Sequence, residues 1–161
     1  MARPPRHDPL VTARTIARTK ATRKQHRINP RGIRHQIDLG GKVGMQTMGA
    51  YLVTIAPGDQ TTEFHTHFVE EEFLYILSGH GVAEIGDRRV AVGPGDFLGF
   101  KAGSVPHAMA NPHAEPLVYL MSGTRQPFDV VDYPRAGIRS YKFGDQRDDT
   151  RSKHRSGTRR R

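Results

Sequence analysis

With 161 residues, no cysteine and a formal net charge of +9, the chain has room for one compact domain, and its chemistry must proceed without thiolates. No apolar run approaches the ~20 residues that span a bilayer, which excludes a membrane-spanning helix. Residues 1–36 hold ten Lys/Arg and one acid, residues 37–140 seven against twelve, and residues 141–161 eight against three, so the basicity lies at the ends of a mildly acidic body.

The N-terminal region, residues 1–36, reads as a basic arm, mobile or docked at a sheet edge. Its first thirty residues lack the apolar segment of a secretory signal, and a cytoplasmic location is the expectation. Asn29-Pro30-Arg31-Gly32 is a turn signal. Residues 46–56, with Tyr51, Leu52, Val53 and Ile55, predict a strand closed by Pro57-Gly58. Residues 61–67 predict a second strand that carries Glu63, His65 and His67 on one face.

A third strand is expected over residues 72–77, ended by Ser78-Gly79-His80-Gly81. Residues 82–85 and 88–92 flank Gly86-Asp87 as a hairpin. Further strands are expected at 97–101, 105–110 and 117–122, within a body spanning 37–140. Residues 141–161 form a basic tail, read as unstructured from Asp145 onward. Regular turn signals without a long helical pattern predict an all-β barrel or sandwich. If Glu72 points inward, Leu74 and Ile76 follow it, while Phe73, Tyr75 and Leu77 form an apolar outer stripe. A homodimer partner is the expected cover for that stripe.

Two spaced clusters carry the chemistry: Gly58-x6-His65-Thr66-His67-x4-Glu72-x6-Gly79 and Gly95-x7-Gly103-x3-His107-x3-Asn111. His-x-His on a strand places two imidazoles on one face, ~6.5–7 Å apart along the chain. Glu72 follows on the next strand, and closure of a barrel would bring His107 opposite. Three imidazole nitrogens and a carboxylate suit one divalent transition metal such as Zn, Fe, Mn or Ni, and suit Mg or Ca poorly. Glu63 shares the histidine face and is a candidate proton-transfer residue. Asn111 is expected to secure a turn, and His26, His35, His80, His113 and His154 to lie on the surface. Met45, Met48, Met109 and Met121, with Phe97, Phe100 and Tyr119, are expected to form core and pocket wall.

These clusters resemble the two motifs of the cupin superfamily, G-x5-H-x-H-x3–4-E-x6-G and G-x5-P-x-G-x2-H-x3-N. All four metal-ligand positions are filled here, by His65, His67, Glu72 and His107. The chain departs from the motifs by one extra residue before His65, by Lys101 in the proline position, and by one extra residue before His107. The likeness covers about residues 38–135. From Asn29 to Pro134 the chain is similar to small prokaryotic single-domain cupins, some labelled as sugar-phosphate isomerases. The resemblance implies a single-domain, jelly-roll-like antiparallel β-barrel with basic, flexible termini, generally dimeric.

Lys101, with help from Arg125, is a candidate anchor for an anionic small-molecule substrate. The expected activity is metal-assisted proton transfer on a sugar or sugar-phosphate-like substrate. A metal-dependent dioxygenase of a small organic acid uses the same ligand set, and a non-catalytic small-molecule-binding cupin is the third reading. Nucleic acid is not an expected partner, because the basic ends carry few aromatics for base stacking.

Overall fold

The structure, a computed structural model, describes residues 7–152. Thirteen strands and two short helices are found in them. Helix α1 (Ala13–Arg18) is capped by Thr12, whose side chain accepts from the Thr15 amide, and β1 (Thr22–Gln25) and β2 (Ile33–Asp38) follow. After α2 (Leu39–Lys42) come β3 (Met48–Ile55), β4 (Thr66–His67), β5 (Glu72–Ser78), β6 (Gly81–Ile85) and β7 (Arg88–Val92). The remaining strands are β8 (Phe97–Phe100), β9 (His107–Ala110), β10 (Leu117–Thr124), β11 (Phe128–Tyr133), β12 (Ile138–Phe143) and β13 (Gln146–Arg151).

They pair into three antiparallel sheets, ordered β1-β2-β3-β10-β5-β8, β13-β12-β11-β4 and β7-β6-β9. The expected all-β architecture is the one observed. Its sheets are joined around one interior by single bridges rather than by a continuous closed ladder, with His65 paired to His107 and Gln60 to both Gly32 and Ala110.

Alternation explains the core. On β5, Leu74 and Ile76 are buried while Tyr75 and Leu77 are exposed. Opposite them on β10, Tyr119 faces Ile76 and Met121 faces Leu74. With Val53, Ile55, Leu98, Phe100, Met109 and Leu117 they make one apolar cluster behind the site. The Gly86-Asp87 connection is a two-residue hairpin turn in which only the glycine has positive φ, at 58°, the pattern of a turn with glycine first.

The structure corrects several sequence-based expectations. Residues 61–67 are not one regular strand: only Thr66–His67 pairs as a strand, after a series of bends. The arm is edge-docked, because β1 pairs with β2 and β2 with β3. Residues 146–151, read as unstructured, form β13 on β12. Composition predicted their polarity, but backbone pairing is indifferent to side-chain polarity. Met45, Met48 and Phe97 are exposed, outside the core. His154 lies outside the described residues.

Candidate metal centre

Each sheet contributes to one site. The large sheet supplies Glu72 from β5, the four-stranded sheet His67 from β4, and the three-stranded sheet His107 from β9. His65 sits on the bridge to His107, with mutual backbone hydrogen bonds of 3.0 and 2.8 Å. Potential ligand atoms of His65, His67 and Glu72 all lie within 4.8 Å of one another. His107 joins through Glu72, with Nε2 at 2.5 Å from Oε1, and its ring stacks on Phe100 at 3.5 Å between centroids.

The imidazoles are aimed by their second nitrogens. His65 Nδ1 donates to the Glu63 carbonyl at 2.9 Å, and His67 Nδ1 lies 2.5 Å from Asp129 Oδ2. In those tautomers each Nε2 keeps a lone pair for a cation. Asp129 is fully buried, and its other oxygen accepts from the Val69 and Glu70 amides. His107 Nδ1 is buried without a partner.

The protonation states of His65 and Glu72 agree with this geometry. Burial drives His65 down to about 3, against the opposing pull of Glu72. Burial would raise Glu72, but the His107 hydrogen bond and the neighbouring imidazoles hold it down to about 2. For His67 burial lowers the pKa, yet the hydrogen bond and charge of Asp129, with Glu72, leave it raised. Asp129 is lowered in turn: burial would raise it, and the His67 hydrogen bond outweighs that. A neutral imidazole beside an ionised carboxylate is the condition that metal ligation needs.

A second group, His67, Glu70 and Asp129, is also close enough to hold an ion. Its acids are already engaged, Glu70 with Lys142 at 2.7 Å and Asp129 with His67 and two amides. The first group, which opens onto space, fits a metal better.

That space is a cavity of about 490 Å³. His65, His67, Glu72 and His107 all line it, with Phe100, Met109, Tyr119 and Met121 as wall. Two expected site residues are elsewhere. Glu63 lines a separate cavity of about 60 Å³ beside Phe64, Glu84 and Arg135. The bends before His65 break the two-residue alternation that would have aimed it with the histidines. Lys101 is exposed and lines an outer groove with Glu71, Phe73 and Phe97. Arg125 bonds Tyr51 at 2.6 Å and is not among the residues lining the metal cavity.

Sequence reasoning missed Asp129, although an acid at an inward-facing position of the apolar run Phe128–Tyr133 was a usable signal. It also placed His26 on the surface, whereas His26 lines the cavity. Nothing local signals that, because it depends on how the arm docks. Asn111 behaves as expected: it is buried, with Nδ2 donating to the Ile55 and Glu115 carbonyls and Oδ1 accepting from the His113 amide.

Comparisons with known proteins agree with this architecture. The cupin domain family matches residues 51–123. A solved structure described as "Putative sugar phosphate isomerase" from Acidithiobacillus ferrooxidans is similar at 39% identity and TM-score 0.87, covering 88% of this chain and 91% of that one. A sugar phosphate isomerase from a cupin superfamily, from Silicibacter pomeroyi, aligns at 25% identity and TM-score 0.74, over 84% and 93% of the two chains. A predicted oxalate decarboxylase from Thermotoga maritima shares the fold at 21% identity and TM-score 0.57, over 68% and 96%. No curated protein sequence matches the chain. By its domain match, its extended similarity and its three-sheet architecture, this chain belongs to the cupin superfamily.

Proposed function

We propose that the protein is a metal-dependent isomerase-type enzyme acting on a small sugar or sugar-phosphate-like substrate. The observation that carries this reading is the convergence of His65, His67 and Glu72 on a cavity large enough for such a molecule, with His65 held neutral and Glu72 held ionised. The donor set fits one divalent transition metal held by those three residues, with His107 as fourth ligand. When bound, such an ion would polarise a substrate carbonyl and so acidify the neighbouring C–H.

The chain's own groups would do the rest. Glu70 is the one carboxylate besides Glu72 among the described residues lining the cavity, and it takes over the proton-transfer role first assigned to Glu63. It accepts the proton from the carbon beside the carbonyl and returns it to the former carbonyl carbon, while the hydroxyl proton on the adjacent oxygen passes to the former carbonyl oxygen. Lys142, 2.7 Å from Glu70 Oε1, and the Gln126 amide at 2.9 Å hold that carboxylate in place. Burial raises the Tyr119 pKa, so the phenol stays neutral and can donate to a substrate oxygen.

Elemental analysis tests the centre. About one transition-metal ion per chain is expected, lost in a His65→Ala/His107→Ala variant. Asp129→Asn is expected to weaken metal affinity roughly 10–100-fold by freeing the His67 ring. Absence of metal after reconstitution overturns the reading. Anaerobic turnover of aldose phosphates supports the isomerase. Turnover only with O2 replaces it with the dioxygenase, and binding without turnover with a binding module.

The same proposal includes a homodimer. Phe97 at 64% exposure, Leu77 at 46% and Tyr75 at 41% share the outer face of the large sheet with Phe73, and a second copy would cover this face.

A further inference from the structure

Five cationic side chains line the metal cavity, and all come from outside residues 51–123: Lys24 on β1, Arg27 in the following turn, Arg34 on β2, Lys142 on β12 and Arg147 on β13. Two are neutralised, Arg27 by Asp149 and Lys142 by Glu70. Among the described residues no acid lies within ion-pair distance of Lys24, Arg34 or Arg147. Arg34 reaches only the Met121 sulfur, at 3.6 Å, which is a weak acceptor.

The register sharpens this. Lys24 and Arg34 stand directly opposite each other in the β1–β2 pair, where like charges repel and destabilise. An anion held between them would turn that repulsion into attraction. Independently, two polar atoms in the same cavity are buried and unsatisfied: Gln36 Oε1, on the same face of β2 as Arg34, and Tyr119 Oη. Buried polar groups are rarely left so, unless a ligand or water meets them. His26 adds a donor, since its Nδ1 accepts from the Ile28 and Asn29 amides at 3.3 Å. The neutral ring then carries its proton on Nε2.

We propose that Lys24, Arg34 and Arg147 form a phosphate-binding subsite of the metal cavity, with Gln36 and Tyr119 receiving hydroxyls of the same phosphorylated sugar. The inference rests on reading the cavity as a substrate site. It replaces Lys101 as the anion anchor and places selection for a charged substrate in the terminal strands. Arginine forks suit phosphate oxygens, and lysine adds a point charge. The Arg27 bonds to Asp149 and Ser140 tie the arm to β12 and β13, so both halves of the subsite are held together.

The test is calorimetric titration of the full chain with inorganic phosphate, an aldose phosphate, the free aldose and the corresponding sugar acid. Phosphate and aldose phosphate are expected to bind, and the free aldose at least about tenfold more weakly. Lys24→Gln, Arg34→Gln and Arg147→Gln should each weaken phosphate binding about tenfold, with Arg34→Lys retaining part of it. Metal content should be unchanged, and the melting temperature of Arg34→Gln equal to or above that of the parent, because the cross-strand repulsion is removed. Equal affinity for free and phosphorylated sugar overturns the subsite, as does phosphate binding that persists in Lys24→Gln/Arg34→Gln. A sugar acid binding as tightly as the phosphate overturns the phosphate assignment. A chain that binds phosphate but no metal upholds the subsite and overturns the metal reading; one that binds metal but no phosphate does the reverse.

Discussion

His26 and Glu63 exchange places between sequence and structure, and the reason is the local backbone. Glu63 precedes His65 by two residues, which in a regular strand guarantees a shared face, but the bends over residues 61–64 remove that guarantee. His26 sits in a polar arm with no apolar periodicity, yet docking carries it into the cavity wall. There burial, followed by the charges of Arg34, Arg27 and Arg147, lowers its pKa from 6.5 to about 4. As pH falls through 6.5 the unfolded chain takes up this proton while the folded chain does not. The stability contribution is therefore complete above about 6.5 and lost as pH falls toward 4. The melting temperature of the parent should fall more over that interval than that of His26→Asn, and equal slopes would count against the assignment.

At the scale of elements, the motif glycines show which spacing was legible. Gly79 ends β5 with φ of +73°, and a Cβ there would stand 2.2 Å from the Pro116 carbonyl oxygen. Gly58 has φ of +84° but open space around it. Gly58→Ala therefore carries only the left-handed backbone cost, about 1–2 kcal/mol, whereas Gly79→Ala adds a backbone clash. Urea denaturation should find Gly79→Ala clearly the more destabilising of the two. The strands from β5 to β10 were readable because alternation and turn residues marked them. The pairing of β1 and β13 was not, since edge strands with polar side chains on both faces carry no periodic signal.

Across the whole molecule, three sheets meet at one cavity, and no single sheet contains the site. The outer face of the large sheet is the counterpart of that inner concentration of chemistry, an apolar surface with Tyr75, Leu77 and Phe97 exposed. Sedimentation should find a dimer for the parent and a monomer for Tyr75→Arg/Leu77→Arg, with metal content retained because these side chains point away from the site. A parent that sediments as a monomer would remove the dimer. No described helix is long and apolar enough to cross a membrane.

By itself the sequence determined the all-β class, the candidate ligand set and the inward parity of β5, because these depend on spacing along the chain. The tertiary structure alone decided that Asp129 orients His67, that Glu63 and Lys101 stand away from the cavity, and that Lys24, Arg34 and Arg147 enter it. Asp129 is 62 residues from His67, and Arg27 lies 122 residues from Asp149. Local patterning sets which face a side chain presents; only the closing of distant strands sets what that face meets.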